Sequence, residues 1–290
     1  MIHYYIPDFF WHYHVNLKLL ELMRDEPQMF HDDFEIGAVF GNFPNCIWNG
    51  GRPFMSRHVN ADEMRAISER FNSFGIPLRL TMTNTLLKKT DCYDRYSNYI
   101  MKNLNNGFNQ VIVGSSILEE HIRCEYPQYP VVKSILAAEN VYYDDSDKYF
   151  MSVLARSKNA DMEFLKSIEN KNKIEILIND TCTLACDRRY EHYKMLNLHQ
   201  IYENDQCSGL ICPYISENRR PSFYTNPLTI TREKIKEIYE PIGFQHFKID
   251  GRGNRYSMRI VLDYAHYMVR PEYKEDFIEM MMASIVADNR

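Results

Sequence analysis

The sequence predicts an α/β chain folded as one closed (β/α)8, TIM-like barrel with a cysteine-bearing insertion before the last strand. Three observations carry that expectation. Eight short, β-rich apolar runs are spread over the 290 residues. Stretches with helical spacing lie between them, the alternation that builds a parallel sheet. No G-x-G-x-x-G fingerprint follows any of the runs, so the open dinucleotide-binding sheet loses its main support.

The first strand is read at Ile2–Ile6 and the second at Glu35–Phe40, with LKLLELM in Asn16–Met23 as the helix between them. Past the second strand, GAVFG leads to a loop holding NGGR at 49–52. ADEMRAISERF, Ala61–Phe71, reads as a helix, and Asn60 before it can accept a hydrogen bond from an early helical amide. The third and fourth strands fall at Leu78–Thr83 and Gln110–Val113. Ser115 or Ser116 then caps a helix running to Cys124. The remaining strands are Val131–Leu136, Tyr149–Leu154, Ile174–Ile178 and Gln245–Ile249. Runs such as VIVG and EILI are apolar without clean alternation, as expected of parallel strands covered on both faces. Gly251 after the last strand is read as a sharp turn.

Composition bounds the function. Thirty-four basic against thirty-nine acidic residues leave a formal charge of −5, which argues against a dedicated polyanion-binding surface. A local patch such as Arg219 and Arg220 stays compatible with RNA. No apolar run approaches the roughly 20 residues that cross a bilayer. The opening MIHYYIPDFFWHYH lacks the basic start and aliphatic core of a signal peptide. The expectation is a cytoplasmic chain with reduced thiols and no membrane span.

One interval stands out, the insertion at about 180–243 between the seventh and eighth strands, which holds four of the seven cysteines. A long interval with little regular pattern inside a compact domain is usually functional, and here it follows a strand onto the active face of a barrel. Cys182 and Cys186 form one close pair, Cys207 and Cys212 another. Four thiolates suit either a tetrahedral zinc or an iron–sulfur cluster. Neither pair has the C-x2-C turn common in zinc sites, which favours the looser cluster. Four buried structural thiols remain the plain reading. Cys46, in the loop after the second strand, is either a spare ligand or a loop thiol, and Cys92 and Cys124 read as packing residues.

Polar residues at strand ends supply the substrate-binding candidates Arg52, Asn84, Asn179, Lys248, Asp250 and Arg252. Arg52 follows two glycines, so exposed backbone donors beside a guanidinium suit a carboxylate or phosphate. Lys248, Asp250 and Arg252 alternate along one face of FKIDGR and either pair internally or meet a polar substrate. Asn84 and Asn179 have capping or turn roles as their ordinary alternatives. Arg188, Arg189, Glu191 and His192 read as a solvated helix face or as support for a metal site. No G-x-S-x-G elbow, H-E-x-x-H helix or P-loop is present.

The order of these parts resembles the collagenase-like peptidase family U-thirty-two. An opening strand is followed by a Gly-rich loop after the second, then by VGSS, YFMSVLARSKNADMEFLKSI, EILINDTCTLAC, a later cysteine pair ending CPY, and FKIDGR. FKIDGR is similar to the family's Lys-Ile-Glu-Gly-Arg element, with Asp250 in place of Glu. The resemblance implies a barrel with a [4Fe–4S] cluster on Cys182, Cys186, Cys207 and Cys212, and Lys248, Asp250 and Arg252 beside the substrate. It further implies oxygen-independent hydroxylation of ubiquinone precursors or RNA bases, with prephenate as oxygen source. The expected partners are a small-molecule or RNA-borne substrate and a protein. Two rival expectations stand beside this one. A non-catalytic barrel would hold a structural zinc and bind a ligand or partner at its mouth, and a hydrolase or peptidase would use Asp180 and Asp250.

Overall fold

The structure is a computed structural model that describes the chain except for residues 51–54, 56, 135–141, 181–187, 203–225, 227–228, 252–256 and 289–290. Eight parallel strands close into a barrel in sequence order. They are β1 Ile2–Pro7, β2 Phe34–Gly41, β3 Leu78–Met82, β4 Gln110–Val113, β5 Val131–Lys133, β6 Met151–Val153, β7 Ile174–Leu177 and β8 His246–Lys248. Every strand expected from the sequence is present, and β8 pairs with β1 through His3–His246, Tyr4–Phe247 and Tyr5–Lys248 to complete the ring.

The helices are α1 Tyr13–Asp25, α2 Ala61–Asn72, α3 Arg95–Leu104, α4 Ser116–Glu125, α5 Met162–Ser167, α6 Arg189–Tyr202, α7 Arg232–Lys234, α8 Ser257–Tyr267 and α9 Lys274–Asp288. Asn60 and Ser115 cap α2 and α4 as their positions predict, accepting from Glu63 N and Leu118 N. Asp94 and Asp161 do the same for α3 and α5. The insertion is more regular than its sequence suggests, since α6 gives it a fourteen-residue helix. No described helix is long and apolar enough to cross a membrane.

Two apolar regions hold the barrel. The larger lies between strands and helices, with Ile6, Leu78, Leu80, Val111, Ile176 and Phe247 facing helical residues such as Leu19, Phe71, Ile122 and Ile260. A smaller one fills the lumen with Tyr5, Ala38, Phe40, Ile112, Val132, Met151 and Val153. Cys92 is buried as expected, whereas Cys124 is exposed. That corrects the packing assignment: on α4 the inward positions are Leu118 and Ile122, and Cys124 falls off that face.

Helix α1 has no side-chain cap of its own. Its first amides are satisfied from the other end of the chain, because Asp288 of α9 accepts from His14 N at 2.9 Å and from Val15 N at 3.0 Å. A carboxylate there satisfies orphan donors and complements the helix dipole. Asp288→Ala is therefore expected to lower stability by about 1 kcal/mol, the usual loss on removing a cap. Urea denaturation checks this, with the midpoint falling and the slope unchanged.

Candidate functional site

In a (β/α)8 barrel the carboxyl ends of the strands and the loops that follow them form the functional face. The lumen beneath that face is not purely apolar. β3 contributes Arg79, β7 Glu175 and β8 Lys248, all buried. Arg79 Nη1 donates to Glu175 Oε2, and Lys248 Nζ donates to Glu175 Oε1 at 3.1 Å. Arg79 Nε also donates to Gln110 Oε1 at 2.8 Å, and its guanidinium lies 4.1 Å from the Tyr5 ring centre. The Lys248 ammonium sits 3.8 Å from the centre of the Phe40 ring. Burial alone would raise the Glu175 carboxyl, but the charges of Arg79 and Lys248 outweigh it and hold it below the ordinary range. The triad thus sets two cations on one carboxylate in a buried site.

Below the triad, the Tyr5 hydroxyl and His246 Nδ1 are 2.9 Å apart, and His246 stacks on His3 with ring centres 4.7 Å apart. Burial pushes His246 down to about 4, so its ring is neutral at physiological pH. Lys248 is the slightly exposed member, at 8%, while Arg79 and Glu175 have no exposure. Lys248 is thus the member of the triad nearest to solvent.

Sequence reasoning found Lys248 and missed Arg79 and Glu175. The signal was available, since each is a lone charge inside an otherwise apolar strand, LRLTM and IEIL. A charge in such a run needs a buried partner.

The other candidates stand at strand ends. Asn84 is fully buried beyond β3, with Nδ2 donating to Ile47 O at 2.9 Å and Asn197 O at 3.2 Å, and Oδ1 accepting from Leu86 N. Asn179 ties β7 to β8, its amide donating to Asp250 O and accepting from Asp250 N. The same amide donates to Asp263 Oδ2 at 2.8 Å. Both asparagines spend their side chains on holding the rim. Asp180 forms a buried ion pair with Arg156 beyond β6, so one of the two carboxylates considered for hydrolysis already faces a cation. Arg188 pairs with Glu191 at 3.6 Å on the exposed side of α6, the solvated-face arrangement. Arg52, Arg252, Cys182, Cys186, Cys207 and Cys212 lie outside the described residues.

Cys46 keeps the plainer of its two readings, and Gly251 changes its role. Cys46 is buried, with Sγ 3.4 Å from Ser97 Oγ and 3.5 Å from Asn42 Nδ2, and burial pushes its thiol up to about 11. It is a packed thiol rather than a spare ligand. Gly251 is needed for close approach rather than for a turn. A Cβ there would stand 2.2 Å from Ile260 Cδ1 and 2.7 Å from Pro7 Cγ, which would wedge β8 away from α8 and the end of β1.

Both described ends of the insertion return to the end of β7. Asn226 Nδ2 donates to Asp180 O, and Ile230 N donates to Ile178 O at 2.8 Å. Between these anchors α6 reaches β3, four strands around the ring, through Asn197. The insertion therefore extends over the carboxyl face of the barrel.

Among described residues no group of three or more His, Cys, Asp or Glu is placed to hold a metal. No protein-family model and no curated protein matches the chain. Among solved structures, the one titled "The Structure of the U32 Peptidase Mk0906" is similar, with a TM-score of 0.51 and 13% sequence identity over 87% of this chain and 94% of that one. At that identity the likeness is one of architecture, and this chain has a U32-like (β/α)8 barrel fold.

Proposed function

We propose that this barrel is an enzyme of the U-thirty-two kind, whose cysteines Cys182, Cys186, Cys207 and Cys212 hold a [4Fe–4S] cluster at the carboxyl face. The chemistry it supports is redox or oxygen-independent hydroxylation of a small or RNA-borne substrate. The observation that carries this reading is the anchoring of the insertion. Cys182 follows Asp180 by two residues, and the segment bearing all four thiols leaves and rejoins the rim at the end of β7. The donor set fits the group, because four thiolates suit a soft metal centre. The likeness to a solved U32 peptidase adds support at the level of fold.

When bound, such a cluster supplies electron transfer or an iron that polarises a substrate oxygen. The chain's own residues supply the setting. Lys248, held by Glu175, presents a cation to an anionic substrate group, with Arg79 keeping the buried carboxylate charged. Asn179 and Asn84 keep the strand ends in register with the loops above them. Arg52 and Arg252 are proposed as further anion contacts.

The test is metal analysis of protein purified without oxygen. The expected result is iron and acid-labile sulfide in matching amounts with a broad visible absorption, lost in Cys182→Ser and Cys207→Ser. Iron and sulfide retained in both variants would remove these cysteines from the ligand set. Zinc in place of iron would favour the structural-site alternative, and activity surviving loss of all four thiols would favour hydrolysis.

A further inference from the structure

Where β1 ends, the chain turns through Phe10 and Trp11 into α1, and the start of α1 meets the first turns of α2 and the end of α9 around a cleft of about 430 Å³. That volume falls within the roughly 300–1,000 Å³ of small-molecule sites. Because Phe10 and Trp11 follow the carboxyl end of β1, the cleft is on the side of the barrel that carries the mouth, but among helices rather than in the lumen. None of its lining residues belongs to the interior triad or to the strand-end candidates.

Three rings and two carboxylates define its chemistry. Phe10 and Trp11 stand edge to face, with ring centres 5.4 Å apart and planes at 88°, so they form a corner of two aromatic walls. Tyr13 is the third ring. Phe10 is braced on Phe43 at 5.6 Å and Tyr13 on Phe71 at 5.9 Å. Of the carboxylates, Glu63 is committed, since Arg57 donates to its two oxygens at 2.9 and 3.1 Å. Asp288 is not. Its oxygens accept one backbone amide each, from His14 and Val15, and among the described residues no Lys or Arg pairs with it. Burial raises its carboxyl, against the pull of those amides and of the His12 and His14 rings, as expected of a charge that lacks a cation.

We propose that this cleft binds a small organic cation, an alkylammonium group that lies against the Trp11 and Phe10 rings with its charge toward Asp288. Aromatic faces attract such cations, and their alkyl substituents gain from the apolar walls. An anion would meet two carboxylates, with the guanidinium of Arg57 already taken by Glu63. A neutral apolar guest would bury the Asp288 charge further without compensating it. A metal ion would need several oxygen ligands, and one uncommitted carboxylate does not supply them. Capping and cation binding do not compete, because each carboxylate oxygen has two lone pairs and a backbone amide takes one. The site stands apart from the insertion and its cysteines, so binding needs no metal.

The probe is choline, titrated into the full chain while the indole N–H signals are followed by NMR, with 3,3-dimethyl-1-butanol, its uncharged equal in shape, as control. The chain has two tryptophans, and Trp48, fully buried with its indole donating to Asp91 O, serves as the internal reference. Trp11→Phe removes one signal and so assigns it. The expected result is saturable movement of the Trp11 signal alone, with the alcohol binding at least about tenfold more weakly. Asp288→Asn keeps an oxygen for the cap, since Asn caps as well as Asp. It is expected to bind choline about fivefold more weakly, with a thermal midpoint near that of the wild type. Trp11→Leu, which keeps an apolar wall without a ring, is expected to lose about fivefold as well. Arg290→Ala is expected to bind as the wild type does. No movement of the Trp11 signal, equal binding of the alcohol, or undiminished affinity in Asp288→Asn would each overturn the site. Tighter binding in Arg290→Ala would make the chain's own guanidinium the occupant and overturn it too.

Discussion

Replacing Glu175 by Gln is expected to cost about 3–5 kcal/mol of folding stability, the range for breaking a buried ion pair from one side. Glu175 is the carboxylate shared by Arg79 and Lys248 in the lumen, and neither it nor Arg79 is exposed to solvent. Gln keeps the shape and one acceptor but removes the charge, leaving two buried cations close together. The thermal midpoint should fall by roughly 10 °C for a chain of this size. A fall of only a degree or two would mean that water or an anion screens the lumen. Replacing all three charges with apolar residues of similar volume is expected to recover most of the loss, because the desolvation cost disappears together with the attraction. If that triple variant folds stably yet loses affinity for simple carboxylates at the mouth, the triad is kept for Lys248's charge and not for stability.

The same carboxyl sets a pH dependence. Its folded value is held below that of an unfolded glutamate, so its contribution is fully present above about pH 4.5 and is lost as pH falls through the lower folded value. Acid unfolding should therefore be steeper in the wild type than in Glu175→Gln.

The fold was legible because each strand is a local apolar run and α2 and α4 carry their own caps. Asn60, Ser115 and the eight runs needed no tertiary information. The interior triad was half legible, since Lys248 lies in a motif while Arg79 and Glu175 announce themselves only as charges inside apolar strands. Their meeting depends on β3 facing β7 and β8 across a closed ring, a relation no local window contains. Helix α6 was hidden for a different reason. RYEHYKMLNLHQIY has no clear apolar stripe, and its two fully buried side chains, Asn197 and Gln200, are amides. Asp288 escaped similarly, as a cap delivered from the far end of the chain.

Asp263→Asn is expected to stabilise the protein at pH 8 and to make little difference near pH 4. Asp263 is buried on α8, where Asn179 donates to its carboxyl and Arg259 lies 3.8 Å away. Burial pushes its value up to about 7, against the opposing pull of Arg259 and of the Asn179 hydrogen bond. Between about pH 4 and 7 the folded chain therefore binds a proton that the unfolded chain does not, and stability falls as pH rises through that window. A shift of that size corresponds to a cost of up to about 4 kcal/mol once the carboxyl is ionised. Asn cannot ionise, keeps an oxygen to accept from Asn179, and so removes the slope. Urea midpoints of both proteins at pH 5 and pH 8 decide the matter, with the variant gaining over the wild type as pH rises. Equal slopes in the two proteins would show that Asp263 stays ionised beside Arg259, and the Asn179 bridge between β7, β8 and α8 would then rest on a charge.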